Sequence, residues 1–309
     1  MDMSRNQEVK IWGAESAPVS LWMKREDELH PHISGNKFRK LKYNLQEATD
    51  LGFHTLLTFG GAYSNHISAL ASAGRMKGMK TIGIIRGDEL EVRPDLIMEN
   101  PTLSFAANMG MQLEFVSREL YRSRHEEDFI ALLRQRFGDF YLVPEGGTNE
   151  LAVRGCEEIL TQEDEDFDFV CVAVGTGGTM TGLINTVSES QRVLGFPSLK
   201  GEFLDKEIAK NAIRTENWSL VNDYHFGGYA KINEKLISFI NQFYRSTTIP
   251  LDPVYTGKMM YGLLDMIRNK RFEKGCRILA IHTGGLQGIE GMNQKLKKKK
   301  MPLICVGDE

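Results

Sequence analysis

DFVCVAVGTGGTMTG, residues 168–182, reads as a buried strand running straight into a glycine turn and then a helix. An unbroken apolar run of this length, bounded by glycine, predicts a strand covered on both faces rather than one. The same unit recurs outward in both directions. Upstream, HTLLTF (54–59), KTIGIIR (80–86), QLEFV (112–116) and DFYLV (139–143) have strand character. Between them lie helical segments. Phe38, Leu41, Leu45 and Ala48 share one face of a helix closed by Gly52, another helix ends near Gly78, and a third runs from Pro101 to Gly110. EEDFIALLRQRF (126–137) is amphipathic, and a further helix is expected from about Asn149. Downstream come RVLGF (192–196), SLVND (219–223), a helix over Glu234–Tyr244, PVY (253–255), a helix from Gly257 and RILAIHTGG (277–285). Strand–helix alternation of this kind predicts an α/β fold, with mostly parallel sheets flanked by helices on both faces.

Composition agrees with a globular chain. The 309 residues are 41% hydrophobic and 26% charged, which excludes disorder and fibrous repeats and suggests two domains at roughly 150 residues each. The 38 basic and 41 acidic side chains leave a net charge of −3, so no basic field for nucleic acid exists. No apolar run approaches the ~20 residues of a membrane helix, and the N-terminal MDMSRNQEVK lacks an apolar core for export. A soluble cytoplasmic protein is expected. Cys156, Cys171, Cys276 and Cys305 are scattered without C-x-x-C spacing, and the seven histidines show no metal-binding pattern. Structural roles are expected for the cysteines, Cys171 as a small buried hydrophobe. No metal is expected. The lysines at 295 and 297–300 are read as a solvated helix end.

Three segments have the character of ligand loops, because ligands in open α/β sheets bind beyond the carboxyl ends of strands. The first is Gly175-Thr176-Gly177-Gly178-Thr179, whose glycines and following helix N-terminus suit a phosphate. It lacks the Lys-Ser/Thr pair of a triphosphate loop, and the next strand, RVLGF, lacks the acidic end of a dinucleotide fold. The second is Gly60 to His66, where Ser64, Asn65 and His66 offer hydroxyl, amide and main-chain donors to a carboxylate; a plain N-cap by Ser64 or Asn65 is the alternative. The third is Ser34 to Lys40. Lys37 stands at a helix start, where the dipole opposes a cation, and becomes reasonable there if neutralised as an imine.

Six motifs occur in order: W-M-K-R-E-D (22–27), S-G-N-K-x-R-K-L (34–41), G-x-x-S-N-H (61–66), V-G-T-G-G-T (174–179), L-D-P-V-Y-T-G-K (251–258) and H-T-G-G (282–285). Together they resemble the fold-type II pyridoxal-phosphate enzymes, whose fold is like the tryptophan synthase β chain. The resemblance lies in the branch containing 1-aminocyclopropane-1-carboxylate deaminase and D-cysteine desulfhydrase, and spans about residues 20–290. It implies that Lys37 carries pyridoxal 5'-phosphate as a Schiff base and moves the α-proton. The 175–179 loop would cradle the phosphate, Asn65 would meet the ring hydroxyl, and Ser64, Asn65 and His66 would receive the substrate carboxylate. Tyr255 is similar to the family tyrosine lying against the ring, and Tyr229, in D-Y-H-F-G-G-Y-A (223–230), to a second one. Ser64 and Tyr255 are candidate acid/base groups. A homodimer is implied by the resemblance alone. So is a smaller domain at 45–145, set into a larger cofactor domain of 1–44 and 146–309 with the site in the cleft.

Two positions divide the branch. The deaminase pattern has glutamate after the tyrosine of P-V-Y and leucine in the later loop; here stand Thr256 and Thr283, as in the desulfhydrases. A carboxylate beside the pyridine nitrogen would hold it protonated, and a hydroxyl does so less. Opening an unactivated ring should need more of that help than expelling a β-thiol. Thr283 is favoured as the partner of the ring nitrogen, with Thr256 at the substrate. Tyr63 replaces the usual glutamine before Ser-Asn and is expected to reshape the carboxylate end of the site. The resulting expectation is α,β-elimination on D-cysteine, giving pyruvate, ammonia and sulfide. Ring-opening deamination is the alternative, and a catalytically idle cofactor-binding protein a further one.

Overall fold

A computed structural model describes residues 4–10, 19–90, 94–201 and 203–307; Met1 to Met3 of the polar N-terminal segment lie outside the described residues. The chain opens with β1 (Asn6–Glu8), β2 (Ser20–Lys24) and α1 (Asn36–Asp50). Next come β3 (Thr55–Gly61), α2 (Asn65–Lys77), β4 (Lys80–Arg86), α3 (Pro94–Glu99), α4 (Pro101–Asn108) and β5 (Met111–Val116). Then α5 (Glu127–Phe137), β6 (Tyr141–Val143), α6 (Glu150–Cys156), β7 (Phe169–Val174), α7 (Gly178–Thr186) and β8 (Arg192–Pro197) follow. The chain continues through α8 (Phe203–Ala209), β9 (Trp218–Leu220), α9 (Glu234–Thr247), α10 (Thr256–Arg268), β10 (Arg277–Ile281) and α11 (Gly288–Lys298).

Two sheets result. One has the order β1-β2-β10-β7-β8-β9, parallel except for β1, and the other the order β5-β4-β3-β6, parallel throughout. The α/β expectation with mostly parallel sheets therefore holds. Strand β7 shows why its run is apolar throughout. Cys171 and Ala173 pack on one face with α9 and α10, through Ile237, Ile240, Met260 and Leu264. Val170, Val172 and Val174 pack on the other with Leu183 and Ile184 of α7. Successive side chains point to opposite faces, so a doubly covered strand has no polar position to spare.

Several local expectations need correction. Residues 253–255 form a turn, not a strand, because the Asp252 carboxylate takes the N–H groups of Val254, Tyr255 and Thr256 (2.8, 2.9 and 2.7 Å) and no ladder can use them. The strand read at 219–223 stops at Leu220, and Asn222–Tyr224 is a short 3-10 turn. Trp22 to Lys24, read only as part of the W-M-K-R-E-D motif, belong to strand β2 beside β10. Cys156 and Cys171 are buried as expected, Cys276 is half-buried, and Cys305 is exposed.

Buried ion pairs tie the sheet edge to the helices. Lys24 of β2 meets Asp164 at 2.7 Å, and Arg39 of α1 holds Glu26 through two bonds (2.9 and 2.8 Å). Breaking one partner of such a pair leaves an uncompensated buried charge, so each contact fixes register more than it adds net stability.

Candidate active site

The loops after β3, β7 and β10 and the N-terminus of α1 converge on one cavity. Asn36, Lys37, Lys40, Ser64, Asn65, His66, Gly175, Thr176, Gly177, Thr179, Tyr229, Tyr255 and Thr283 all line it. The strand ends thus bring together residues that are far apart in sequence, as open parallel sheets do.

Lys37 is the second residue of α1, against the helix dipole. Its Nζ donates to Asn36 Oδ1 at 3.1 Å, and Asn36 in turn donates to Thr179 Oγ1 at 2.9 Å, joining α1 to α7. Burial, with the neighbouring Lys40 charge second, pushes the Lys37 amine down to about 7. The sign of the consequence follows. Between about 7 and the unperturbed 10.5 the unfolded chain holds one proton more at this residue, so Lys37 makes the cofactor-free fold more stable as pH rises through that window. Labelling of Lys37 in that form by an amine-selective reagent, followed by peptide mass, is expected to reach half its plateau near pH 7, against far more alkaline midpoints for exposed lysines.

The 175–179 loop enters α7 through Gly177, whose φ of +89° favours glycine. Thr179 is buried there, whereas Gly178 is not among the residues lining the cavity, and a Cβ on it would fall 2.8 Å from Thr148 Cγ2. Lys40, three residues after Lys37 and so on the same face of α1, lies beside this loop. Its Nζ donates to Thr148 Oγ1 at 2.8 Å and to Thr176 Oγ1 at 3.4 Å. Sequence reading missed Lys40; the i, i+3 spacing of two lysines at a glycine-led helix start was the available signal.

Ser64 is the N-cap of α2 and accepts from Ile67 N–H at 3.4 Å. Among the described residues no acceptor takes the main-chain N–H groups of Asn65 and His66, the first two of α2, an arrangement that suits an anion. His66 differs from expectation, because its imidazole turns inward. The Thr58 hydroxyl donates to Val143 O (2.7 Å) and so accepts from His66 Nε2 (2.9 Å), which assigns Nδ1 as a bare acceptor. Burial, aided by Lys37 and Lys40, holds the ring well below its ordinary value, hence neutral. What His66 offers a carboxylate is its main-chain N–H.

Tyr255 packs its ring on Gly175, where a Cβ would sit 3.1 Å away, and meets Tyr229 edge-on at 6.2 Å between centroids. Burial raises both phenols, Tyr255 the more, so both remain protonated donors at neutral pH. The two threonines part company. Thr283 lines the cavity, but Thr256 is fully buried and not among its lining residues, its hydroxyl donating to Asp252 Oδ1 at 2.7 Å and accepting from Asp252 N–H at 2.9 Å. The expectation of Thr256 at the substrate is therefore corrected: the turn that presents Tyr255 consumes its side chain. Thr256→Val is expected to cost about 1–3 kcal/mol of stability in denaturant titration, through the unpaired Asp252 groups, while cofactor affinity changes little. Tyr63 lines a second pocket with Ser64, Asn65, Tyr229 and Tyr255, its ring against Gly291 and with Lys295 Nζ 3.9 Å over its face. Lys295 and Lys297 to Lys300 are all exposed around the end of α11, the solvated helix end expected of them.

The donor set fits pyridoxal phosphate: a neutralisable amine, a glycine loop at a helix N-terminus with a second lysine beside it, an aromatic wall and a neutral hydroxyl. Comparison with known proteins agrees. The family model described as pyridoxal-phosphate dependent enzyme matches residues 12–284. The bifunctional D-cysteine desulfhydrase/1-aminocyclopropane-1-carboxylate deaminase of Arabidopsis thaliana is 30% identical over 308 residues, covering 90% of this chain and 76% of its own. The D-cysteine desulfhydrase of Klebsiella pneumoniae is 28% identical over 284 residues, 86% of each chain. A crystal structure of an ACC deaminase homologue matches with a TM-score of 0.80 and 31% identity, over 96% of this chain and 93% of that one. With its motifs in order, its lysine in the cleft and a family match across most of its length, this chain belongs to the pyridoxal-phosphate dependent enzymes.

Proposed function

We propose that the protein catalyses α,β-elimination on a small β-substituted amino acid, with D-cysteine as substrate and pyruvate, ammonia and hydrogen sulfide as products. The observation that carries this reading is the neutral Thr283 hydroxyl on the cavity wall, with the carboxylate-for-threonine position, Thr256, turned away from it. A hydroxyl there leaves the electron sink shallower than a carboxylate would. That suffices for losing a β-thiol after α-proton removal and suits ring opening poorly. The bound cofactor supplies the place where carbanion electrons are stored. Lys37 would hold it, with Lys40 and the 175–179 loop available to its phosphate and Asn65 to its ring hydroxyl. Ser64, Asn65 and the His66 main chain receive the substrate carboxylate at the start of α2, leaving Lys37 Nζ, neutral in part near pH 7, to take the α-proton. Tyr255 and Tyr229, kept as phenols, can donate a hydrogen bond to the departing sulfur. We also infer that the smaller unit at 45–145 and the larger remainder flank this cleft, and that the enzyme works as a cytoplasmic homodimer, as the family resemblance suggests.

The test is product release by cofactor-loaded protein, with D-cysteine and 1-aminocyclopropane-1-carboxylate run in parallel. Pyruvate with sulfide from D-cysteine alone is the expected result. Release of 2-oxobutanoate from the cyclopropane amino acid would overturn the assignment from Thr283.

A further inference from the structure

Lys258 is the third residue of α10, where the helix dipole opposes a cation, and it is 2% exposed. No carboxylate pairs with it among the described residues. Its Nζ instead donates to two main-chain carbonyls, His225 O at 2.9 Å and Gly228 O at 2.8 Å. Burying an ammonium on two carbonyls is costly, and burial accordingly pushes the amine down to about 8. A methionine would fill the same volume without that cost. What it could not do is hold the 225–230 segment.

That segment needs holding. Phe226, Gly227, Gly228 and Ala230 all have positive φ (54°, 91°, 114° and 53°), and two of the four carry a Cβ. The residue directly after the Gly228 carbonyl is Tyr229, which lines the cavity against Tyr255. Helix α10 also anchors the far side of the segment, through Asp265, which accepts from the Tyr224 hydroxyl at 2.8 Å, and Tyr261, whose ring meets Phe226 at 5.0 Å. Tyr255 is the N-cap of the same helix. One helix start therefore sets both tyrosines, one through its own cap and the other through Lys258.

We infer that Lys258 is a positioning residue that sets Tyr229 against Tyr255 in the active cavity by clamping the His225 and Gly228 carbonyls. The inference rests on the elimination reading for what the tyrosines do, but not for the clamp. The experiment compares wild type, Lys258→Met, Tyr229→Phe and the double variant as cofactor-loaded protein. Hydrogen exchange and D-cysteine kinetics are both read. Lys258→Met should speed amide exchange across 225–231 about tenfold or more, with the rest of the chain unchanged. It should lower kcat by about tenfold to a hundredfold with a smaller change in KM, since a misplacement of the order of 1 Å costs that much. In the Tyr229→Phe background it should lower kcat no further. Unchanged local exchange overturns the inference, and so does an effect of Lys258→Met that adds fully to that of Tyr229→Phe. If exchange rises everywhere, the fold itself has been weakened, and Lys258→Gln, which keeps an amide donor, is read by the same criteria. If wild type does not turn over D-cysteine, the elimination reading fails alone. The exchange comparison, which needs no substrate, then decides the clamp.

Discussion

Lys37→Ala is expected to abolish turnover, by at least about a thousandfold, and to remove the visible absorbance of the lysine-bound cofactor. The size follows from Lys37 having two tasks and no substitute. On the proposed reading one amine would both attach the cofactor and take the α-proton, so its loss would remove attachment and proton transfer together. Lys40 cannot take over, because its Nζ is spent on Thr148 and Thr176 at the phosphate end of the cavity. Lys37→Arg is the informative companion. It keeps a cation at the start of α1 but offers no neutral amine, since a guanidinium does not deprotonate in a protein. Both variants should bind the cofactor through the 175–179 loop, detectable by equilibrium dialysis, and both should be inactive. Activity in the arginine variant would mean that charge, not a free amine, is what the site requires of residue 37.

Gly35→Ala is expected to destabilise the protein by more than about 4 kcal/mol, the range reached when backbone strain and overpacking coincide. Gly35 caps α1 at φ +63° and ψ −141°, a region that residues with a Cβ hardly enter. A Cβ there would also fall 2.0 Å from Thr283 O and 2.2 Å from Thr283 C, main-chain atoms that cannot swing aside. The Asn36 N–H donates to that same carbonyl at 3.3 Å, so separating the segments breaks the bond that sets Lys37 opposite Thr283. Gly52→Ala separates the two causes. Gly52 has φ +77° with nothing within 4 Å of its missing Cβ, so only the conformational cost of about 1–2 kcal/mol applies. Chemical denaturation of both variants with cofactor absent, where no ligand linkage contributes, measures the difference. Equal losses would show that the Thr283 loop yields to the extra carbon.

The repeating strands were legible because their environment is uniform. Runs such as 54–59, 80–86 and 168–174 are covered on both faces, so their apolar character depends little on distant partners. Residues 253–255 look alike in composition but are a turn, since the carboxylate of Asp252 satisfies the N–H groups a ladder would need. SLWMK went unread as a strand because it is short and finds its partner, β10, more than 250 residues later.

The candidate site divides along the same line. Composition, strand–helix alternation and six ordered motifs determined the α/β class, the cofactor family and several residues that line the cavity, among them Lys37, Ser64, Asn65, Gly175, Thr176, Gly177, Thr179 and Tyr255. These are local signals: a glycine turn, a cap or a lysine at a helix start is written within a few residues. Only the tertiary structure decided that Thr283 faces the cavity while Thr256 does not, that the imidazole of His66 turns to Thr58, that Tyr63 rests under Lys295, and that Lys258 holds the Tyr229 loop. Each of those depends on which hydrogen-bond partner, brought from elsewhere in the chain, competes for a side chain, and a buried polar group goes to whichever partner the packing puts within reach.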